Sequence, residues 1–201
     1  MSGDHYFSPE PESPERRRTV EATVWGRQLS LVSASGVFAD GRLDLGTGVL
    51  LRSLGPPTSP GRFLDLGCGY GVIACALALA SDESEVWAVD VNERALRLCH
   101  DNALALGVAD RVLPALPGDV PGDVNFDEIW SNPPIRIGKA ALHDMLLAWL
   151  PRLSVGGRAN LVVGRNLGAD SLQRWLVGEG YPCERVGSAK GFRVLRARRA
   201  G

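Results

Sequence analysis

Asp65-Leu66-Gly67-Cys68-Gly69-Tyr70-Gly71 decides the fold. It follows a short apolar run, Arg62 to Leu66, and precedes an alanine-rich one, Val72 to Ala80. Glycines at alternate positions between a strand and a helix let the backbone turn sharply and come close to a ligand. Outward from this loop, strand and helix patterns alternate. Glu85 to Asp90 reads as a second strand, and Glu93 to Leu106 shows helical spacing through Leu96, Cys99, Ala103 and Leu106. Val112 to Leu116, Phe126 to Ser131 and Ala159 to Gly164 read as further strands, and Lys139 to Leu150 and Ala169 to Gly180 as helices. Such alternation predicts an α/β fold with a parallel sheet between helices. Cys183 to Val186 and Phe192 to Ala197 are separated only by Gly187 to Gly191. That is too short for a parallel crossover, so these two strands are expected to run antiparallel.

Upstream of the loop the pattern changes. Residues 1–18 are rich in proline and charge and read as a flexible arm. Thr19 to Val24 and Gln28 to Ser33 alternate apolar and polar residues around Trp25-Gly26-Arg27, a hairpin signature. Asp40-Gly41 signals a turn, and Val49 to Leu54 reads as a short helix with Thr47 as its N-cap. Gly55-Pro56-Pro57-Thr58-Ser59-Pro60-Gly61 then breaks the chain. Three segments are expected: the arm at 1–18, the hairpin and short helix at 19–60, and a ligand-binding domain at 61–201.

The 201 residues are 45% apolar and 22% charged, with a net charge of −1, which excludes a disordered or fibrous chain. No stretch approaches the roughly 18–20 uncharged apolar residues of a membrane span. Residues 1–18 lack the apolar core of a signal peptide, so a cytoplasmic location is expected. Cys68, Cys75, Cys99 and Cys183 form no C-x-x-C pair and do not group with His5, His100 or His143, so no metal site is expected. The near-neutral charge argues against a nucleic-acid coat but allows local basic patches, such as Arg16 to Arg18.

The glycine loop carries an acid, Asp65, two residues before its first glycine, and a second acid, Asp90, closes the next strand 25 residues later. Asp90 is placed to hold the two hydroxyls of a ribose. A carboxylate at position 65 disfavours a phosphate and favours a ligand bearing an ammonium. The G-x-G-x-G spacing also departs from the G-x-G-x-x-G of dinucleotide sites. S-adenosylmethionine (SAM), with its amino-acid end, sulfonium and ribose, meets these requirements better than NAD.

Ser131-Asn132-Pro133-Pro134-Ile135 follows the fourth strand of this alternating series directly. In an open parallel sheet, ligands bind beyond the carboxyl ends of the strands, so Asn132 belongs on the rim that holds Gly67 to Gly71 and Asp90. Two prolines remove backbone donors. What remains is rich in acceptors, the Asn132 side-chain oxygen and the carbonyl of Pro133 among them, and suits an NH2 group. An exocyclic amine is a poor nucleophile because its lone pair is delocalised into the ring. Two acceptors drawing on its N–H bonds favour a pyramidal nitrogen and aim its lone pair at an electrophilic methyl.

These residues resemble a known family. The chain is similar to class I SAM-dependent methyltransferases of the small-domain type, among them the bacterial 16S rRNA guanine-N2 methyltransferases and their single-domain relatives. The resemblance runs through His5-Tyr6-Phe7-Ser8, Gly36-Val37-Phe38, Leu43-Asp44-Leu45-Gly46-Thr47, the Asp65 to Gly71 loop, Asp90-Val91-Asn92-Glu93-Arg94-Ala95, Asn102-Ala103, Asn132-Pro133-Pro134-Ile135-Arg136-Ile137-Gly138-Lys139 with His143, and Gly191-Phe192-Arg193-Val194. It implies a Rossmann-like class I methyltransferase fold: a seven-stranded, mostly parallel sheet with an antiparallel last strand, here preceded by a β-hairpin extension. It implies SAM as cofactor, held by Asp65, Gly67, Cys68, Gly69, Gly71, Asp90, Val91, Asp119 and Asn132. It assigns the amine site to Asn132, Pro133, Pro134 and Ile135, and suggests that the segment around Asp44 and Thr47 closes over it. Arg136 and Lys139 are candidate contacts to RNA phosphate, and ribosomal RNA or a ribosomal subunit is the implied partner. The chain departs from many amine-directed members in having Ile135 where they carry an aromatic residue able to stack on a flipped base. The same chemistry on a protein glutamine or a small-molecule amine is an alternative. A non-catalytic ribosome assembly factor is another.

Overall fold

The computed structural model describes residues 14–37, 41–133 and 138–199. Strands β1 (Arg17–Val24) and β2 (Arg27–Ala34) form an antiparallel hairpin. Helix α1 (Leu45–Ser53) follows. The alternating series is then β3 (Arg62–Leu66), α2 (Val72–Ala80), β4 (Glu85–Val89), α3 (Glu93–Ala105), β5 (Val112–Ala115), β6 (Phe126–Ser131), α4 (Lys139–Trp149), β7 (Leu153–Gly164), α5 (Ala169–Gly178), β8 (Cys183–Ala189) and β9 (Phe192–Arg198). The sheet order is β5-β4-β3-β6-β7-β9-β8. Neighbours from β5 to β7 pair in parallel, and β9 runs antiparallel to both β7 and β8. The order reverses between β3 and β6, so the loops after these two strands part at the place where open α/β sheets bind ligands.

Alternation along each strand sends side chains to two cores. Phe63, Trp130, Val162 and Val194 pack in one core with the hairpin, α1, α2 and α3. Leu64, Ile129, Leu161 and Leu195 pack in the other, with α4 and α5. The hairpin is fixed to the domain by Asn102 of α3. Its side-chain oxygen accepts the N–H of Val32 (2.7 Å), and its amide donates to the carbonyls of Val32 (2.9 Å) and Tyr70 (2.8 Å). One amide thus satisfies backbone groups of a strand edge and anchors the glycine loop.

The hairpin turn is Trp25-Gly26, with φ of 48° and 80°. A tryptophan in the left-handed region is strained, and its contacts explain why it stays there. Its indole N–H lies 2.9 Å from the Leu51 carbonyl and 2.8 Å from that of Leu54, so it satisfies orphan acceptors at the end of α1. Its ring meets Trp130 edge-on at 6.0 Å.

Three boundaries differ from expectation. Strand β1 begins at Arg17, so Arg17 and Arg18 belong to the hairpin and not to an arm. Helix α1 begins at Leu45, and its N-cap is Asp44, whose side chain accepts the Thr47 N–H; Thr47 lies inside the first turn. A carboxylate is a strong cap, and a glycine-containing first turn hid the helix start from the sequence pattern. Strand β7 begins at Leu153, six residues before Ala159. Gly156 and Gly157 mask its first half. A β-carbon on Gly157 would stand 2.8 Å from the Ser154 carbonyl and 3.1 Å from those of Phe126 and Asp127, so only glycine lets β7 pass β6 there.

Candidate active site

The carboxyl ends of β3, β4 and β6 and the start of α1 build the site. The glycine loop is tied to β4 by the N–H groups of Gly67 (2.8 Å) and Cys68 (3.1 Å), both donating to the Val89 carbonyl. Gly67, Gly69 and Gly71 all have positive φ (76°, 54° and 87°). Nothing lies within 4 Å of the place a β-carbon on Gly69 would occupy, so the loop backbone faces open space there. Gly71 serves packing: a β-carbon would stand 2.5 Å from Cys99 Sγ. Two of the three glycines therefore differ: Gly69 leaves the loop backbone open, and Gly71 lets the loop pack closely against α3.

Asp65 is fully buried. Its Oδ2 accepts the Ala74 N–H (2.9 Å) in the first turn of α2, where Gly71 offers no side-chain cap, while its Oδ1 is buried without a partner. Burial, with the charge of Asp90 adding to it, pushes this carboxyl up to about 8. Asp90 accepts the N–H of Gly69 on Oδ2 (2.9 Å) and of Asn92 on Oδ1 (3.0 Å). Burial raises it too, and those bonds pull the other way. The sequence reading gave Asp90 to a ribose alone, whereas here it also ties the loop to the start of α3. A carboxylate has about four acceptor positions, so both oxygens keep capacity for hydroxyl donors.

Val91 follows, 42% exposed, an apolar surface beside the acid. Asp119 lies just past β5, exposed in a short turn at Pro117–Asp119. Cys68 is buried, and its thiol faces the Gly69 carbonyl at 3.5 Å. Burial pushes the thiols of Cys68 and Cys75 well up, which suits packing and not nucleophilic chemistry.

Asn132 stands at the end of β6. Ser131 Oγ donates to the Leu66 carbonyl (2.7 Å), fastening this turn to the root of the glycine loop. The Asn132 amide nitrogen donates to Asp44 Oδ1 (2.6 Å) and Thr47 Oγ1 (3.0 Å). A carboxylate only accepts, so Asp44 fixes which end of the amide faces α1. Asn132 Oδ1 is thereby left as an acceptor, and among the described residues it makes no hydrogen bond. One cavity is lined by Asp44, Thr47, Gly67, Cys68, Gly69, Tyr70, Val72, Ile73 and Asn132. It joins the glycine loop to the asparagine turn. Tyr70 closes one side, its hydroxyl donating to the Arg42 carbonyl (3.2 Å). Sequence reasoning missed the role of Asp44 as cap and amide partner at once; an acid three residues before a threonine was the available signal.

Pro133 is buried beside Asn132. Pro134, Ile135 and Arg136 lie outside the described residues. Lys139 is exposed at the start of α4. His143 stacks on Trp175 at 3.7 Å and 12°, with burial and then Lys139 lowering its pKa, so it joins α4 to α5. Among the described residues, no group of histidine, cysteine or acid side chains could hold a metal, and no helix is long and apolar enough to cross a membrane.

The site meets the requirements of SAM on three counts. A buried carboxylate oxygen lacks a partner, the loop backbone is open at Gly69, and an exposed apolar surface lies next to an acid with acceptor capacity.

Comparison with known proteins agrees. The model of the methyltransferase small domain family matches residues 28–196. The chain is 30% identical over 198 residues, 98% of both chains, to the uncharacterized protein YbxB of Bacillus subtilis. It is 42% identical over 114 residues to ribosomal RNA small subunit methyltransferase C of Shewanella baltica, matching 57% of this chain and 32% of that one. The matched region thus spans about a third of the length of that enzyme. Among solved structures, the 16S rRNA N2 methyltransferase RsmC of T. thermophilus, in complex with AdoMet and guanosine, superposes with a TM-score of 0.79 at 24% identity, covering 92% of this chain and 51% of that one. Its shared fold places this sheet among Rossmann-like methyltransferases. With the family model spanning most of its length, the chain belongs to the methyltransferase small domain family and is a SAM-dependent methyltransferase.

Proposed function

We propose that the chain methylates an exocyclic amine of ribosomal RNA, guanine N2, using the Asn132 turn to hold the amine. The observation that carries this reading is the fixed orientation of Asn132: Asp44 and Thr47 take both donors, and Oδ1 remains to accept. The relatives named for small-subunit rRNA methylation support the RNA substrate.

SAM, when bound, supplies an electrophilic methyl group on sulfur. The glycine loop offers backbone at Gly67 and Gly69, Asp65 a carboxyl that ionises against the ammonium, Asp90 acceptors for the ribose, and Val91 with Asp119 the surroundings of the adenine. Asn132 Oδ1 accepts one N–H of the target amine, and the Pro133 carbonyl is assigned the other. Both bonds strengthen as the nitrogen becomes positive, so they stabilise the transition state more than the ground state. The methylated nitrogen is acidic and needs no strong base to lose its proton.

The test is mass spectrometry of rRNA nucleosides from cells with and without this gene. We expect one N2-methylguanosine to be lost from small-subunit rRNA and restored by the purified protein with SAM. Unchanged rRNA, with methylation appearing on a protein glutamine, overturns the RNA reading.

A further inference from the structure

Arg193, Arg196, Arg198 and Arg199 crowd the last strand and its end, and the active site uses none of them. Two are taken up by the fold. Arg193 pairs with Asp170 of α5, and Arg199 donates to the Pro151 carbonyl (2.8 Å). Arg196 and Arg198 lie on the opposite face of the sheet, with Val194. Helix α1 crosses this face from the rim, where a β-carbon on Gly46 would stand 3.0 Å from Phe192, to Gly187, where one would stand 2.6 Å from Ser53 Oγ. Gly187 pairs with Val194, so Arg196 and Arg198 lie beyond the end of the helix.

There the cross-strand pairing is unfavourable. Arg198 sits directly opposite Arg158 of β7, and Arg196 sits opposite Asn160. Like charges directly opposite each other destabilise an antiparallel pair. Neighbours relieve part of this: Arg158 donates to Glu128, Arg198 pairs with Glu184 at 3.3 Å, and Arg196 Nε donates to Asn160 Oδ1 (3.0 Å). Three guanidiniums thus meet two carboxylates, and Glu128 is also claimed by Trp130 and Asn160. Burial and then the charge of Arg158 lower the pKa of Arg196, Arg198 adds to this, and Glu128 and Glu184 oppose it. A guanidinium has five N–H donors, so each of the three keeps donors to spare. Beyond Arg158 the face opens into a cavity of about 340 Å³ lined by the exposed hydroxyl residues Thr58 and Ser59 and by Asp127, whose Oδ2 accepts the Arg62 N–H (2.9 Å). Folding does not favour two opposed arginines; an anion bound across them does.

We infer that Arg158, Arg196 and Arg198 form a second docking surface for the substrate, one that holds the phosphate backbone of an RNA at the far end of the sheet from the amine site. This rests on the reading of the substrate as RNA. Arg158 stands six residues before Gly164 at the rim, about 20 Å along the strand, so the surface engages a folded RNA and not an isolated nucleoside. Guanidinium forks match phosphate oxygens two at a time, and such contacts fix where an RNA lies without reading its sequence.

The experiment measures Kd against salt, and kcat at saturating RNA, with small-subunit RNA from cells lacking this gene. Arg196→Gln and Arg198→Gln should each flatten the slope of log K against log salt by about 0.7–0.9, the value of one phosphate contact. Each should raise Kd about two- to fivefold, the size of a solvent-exposed ion pair. The kcat at saturating RNA and the thermal shift with SAM should match those of the parent. The Tm of Arg198→Gln should not fall, because a like-charge pair is removed. Arg97→Gln makes the same change of charge on α3, where Arg97 pairs with Glu93, and should leave the slope as it is. If Arg196→Gln and Arg198→Gln bind RNA as the parent does, or if Arg97→Gln flattens the slope equally, the arginine surface is wrong and the reading of Asn132 stands. If the parent shows no salt-dependent binding to this RNA, the RNA reading fails and the arginine surface with it.

Discussion

Strand β6 carries two polar clusters, and they differ in whether an acceptor is left over. Near its start, Glu128 is buried, and both its oxygens are taken: Oε2 by the Trp130 indole (3.0 Å) and Asn160 Nδ2 (2.9 Å), Oε1 by Arg158. Asn160 Oδ1 in turn accepts from Arg196 (3.0 Å), so the cluster binds β6, β7 and β9 into one block. At the end of the same strand, Asn132 has both donors occupied and its oxygen unclaimed among the described residues. A closed polar cluster in a sheet is a structural device, because each unmet group would cost about 1–3 kcal/mol. An asparagine held rigidly with one open acceptor is a site waiting for a donor.

The strongest way to break this contrast is Asn132→Ala. Loss of one preorganised partner elsewhere lowers turnover by about 10²–10³, roughly 2.7–4 kcal/mol. Single-turnover methylation should slow at least about tenfold, while Tm and SAM affinity stay near those of the parent.

Glu128→Ala should do the reverse. It leaves the indole N–H, the Asn160 amide and the Arg158 guanidinium without their acceptor. Stripping a buried ionic partner costs about 3–5 kcal/mol; Arg158 is a third exposed, so about 2–3 kcal/mol is expected, read by urea unfolding. Activity per folded molecule should be unchanged, and a large fall in it would erase the distinction between the clusters.

Asp44→Asn sharpens the contrast. Asparagine caps helices as well as aspartate does, so stability should hold within about 0.5 kcal/mol. But asparagine can donate as well as accept, so it no longer dictates the orientation of Asn132. Asp44 is a positioning residue. We expect kcat to fall about tenfold, roughly 1.4 kcal/mol, with KM for RNA little changed.

Asp65→Asn asks whether an open acceptor outside the amine site is also functional. The Asp65 carboxyl sits at about 8 when folded. Unfolded, an aspartate lies near 3.9. Its folded value is raised, so its contribution to stability is complete below the unfolded value and is lost as pH climbs toward 8. Asparagine keeps an acceptor for the Ala74 N–H and does not titrate. The Tm of Asp65→Asn should therefore exceed that of the parent by a margin that widens between pH 4 and pH 8. Its thermal shift with SAM should shrink. An equal shift with SAM would make Asp65 a helix cap and nothing more.

Periodicity and punctuation in the sequence determine the alternating β3 to β9 order, because strands buried on both faces read as apolar runs and glycine loops mark their ends. They determine that the last two strands pair antiparallel, because five residues cannot cross over. They also place the glycine loop and Asn132 on one rim, because both follow parallel strands of one sheet. Tertiary structure alone decided what each polar atom meets. Asp44 and Asn132 are 88 residues apart, and only the packing of α1 against the end of the sheet brings the carboxylate to the amide. Phe192 reads as an ordinary strand residue until the antiparallel turn of β9 delivers its edge to Gly46. Spacing along a chain fixes which face of an element a residue occupies; the hydrogen bond it makes depends on distances between elements, which no local pattern encodes.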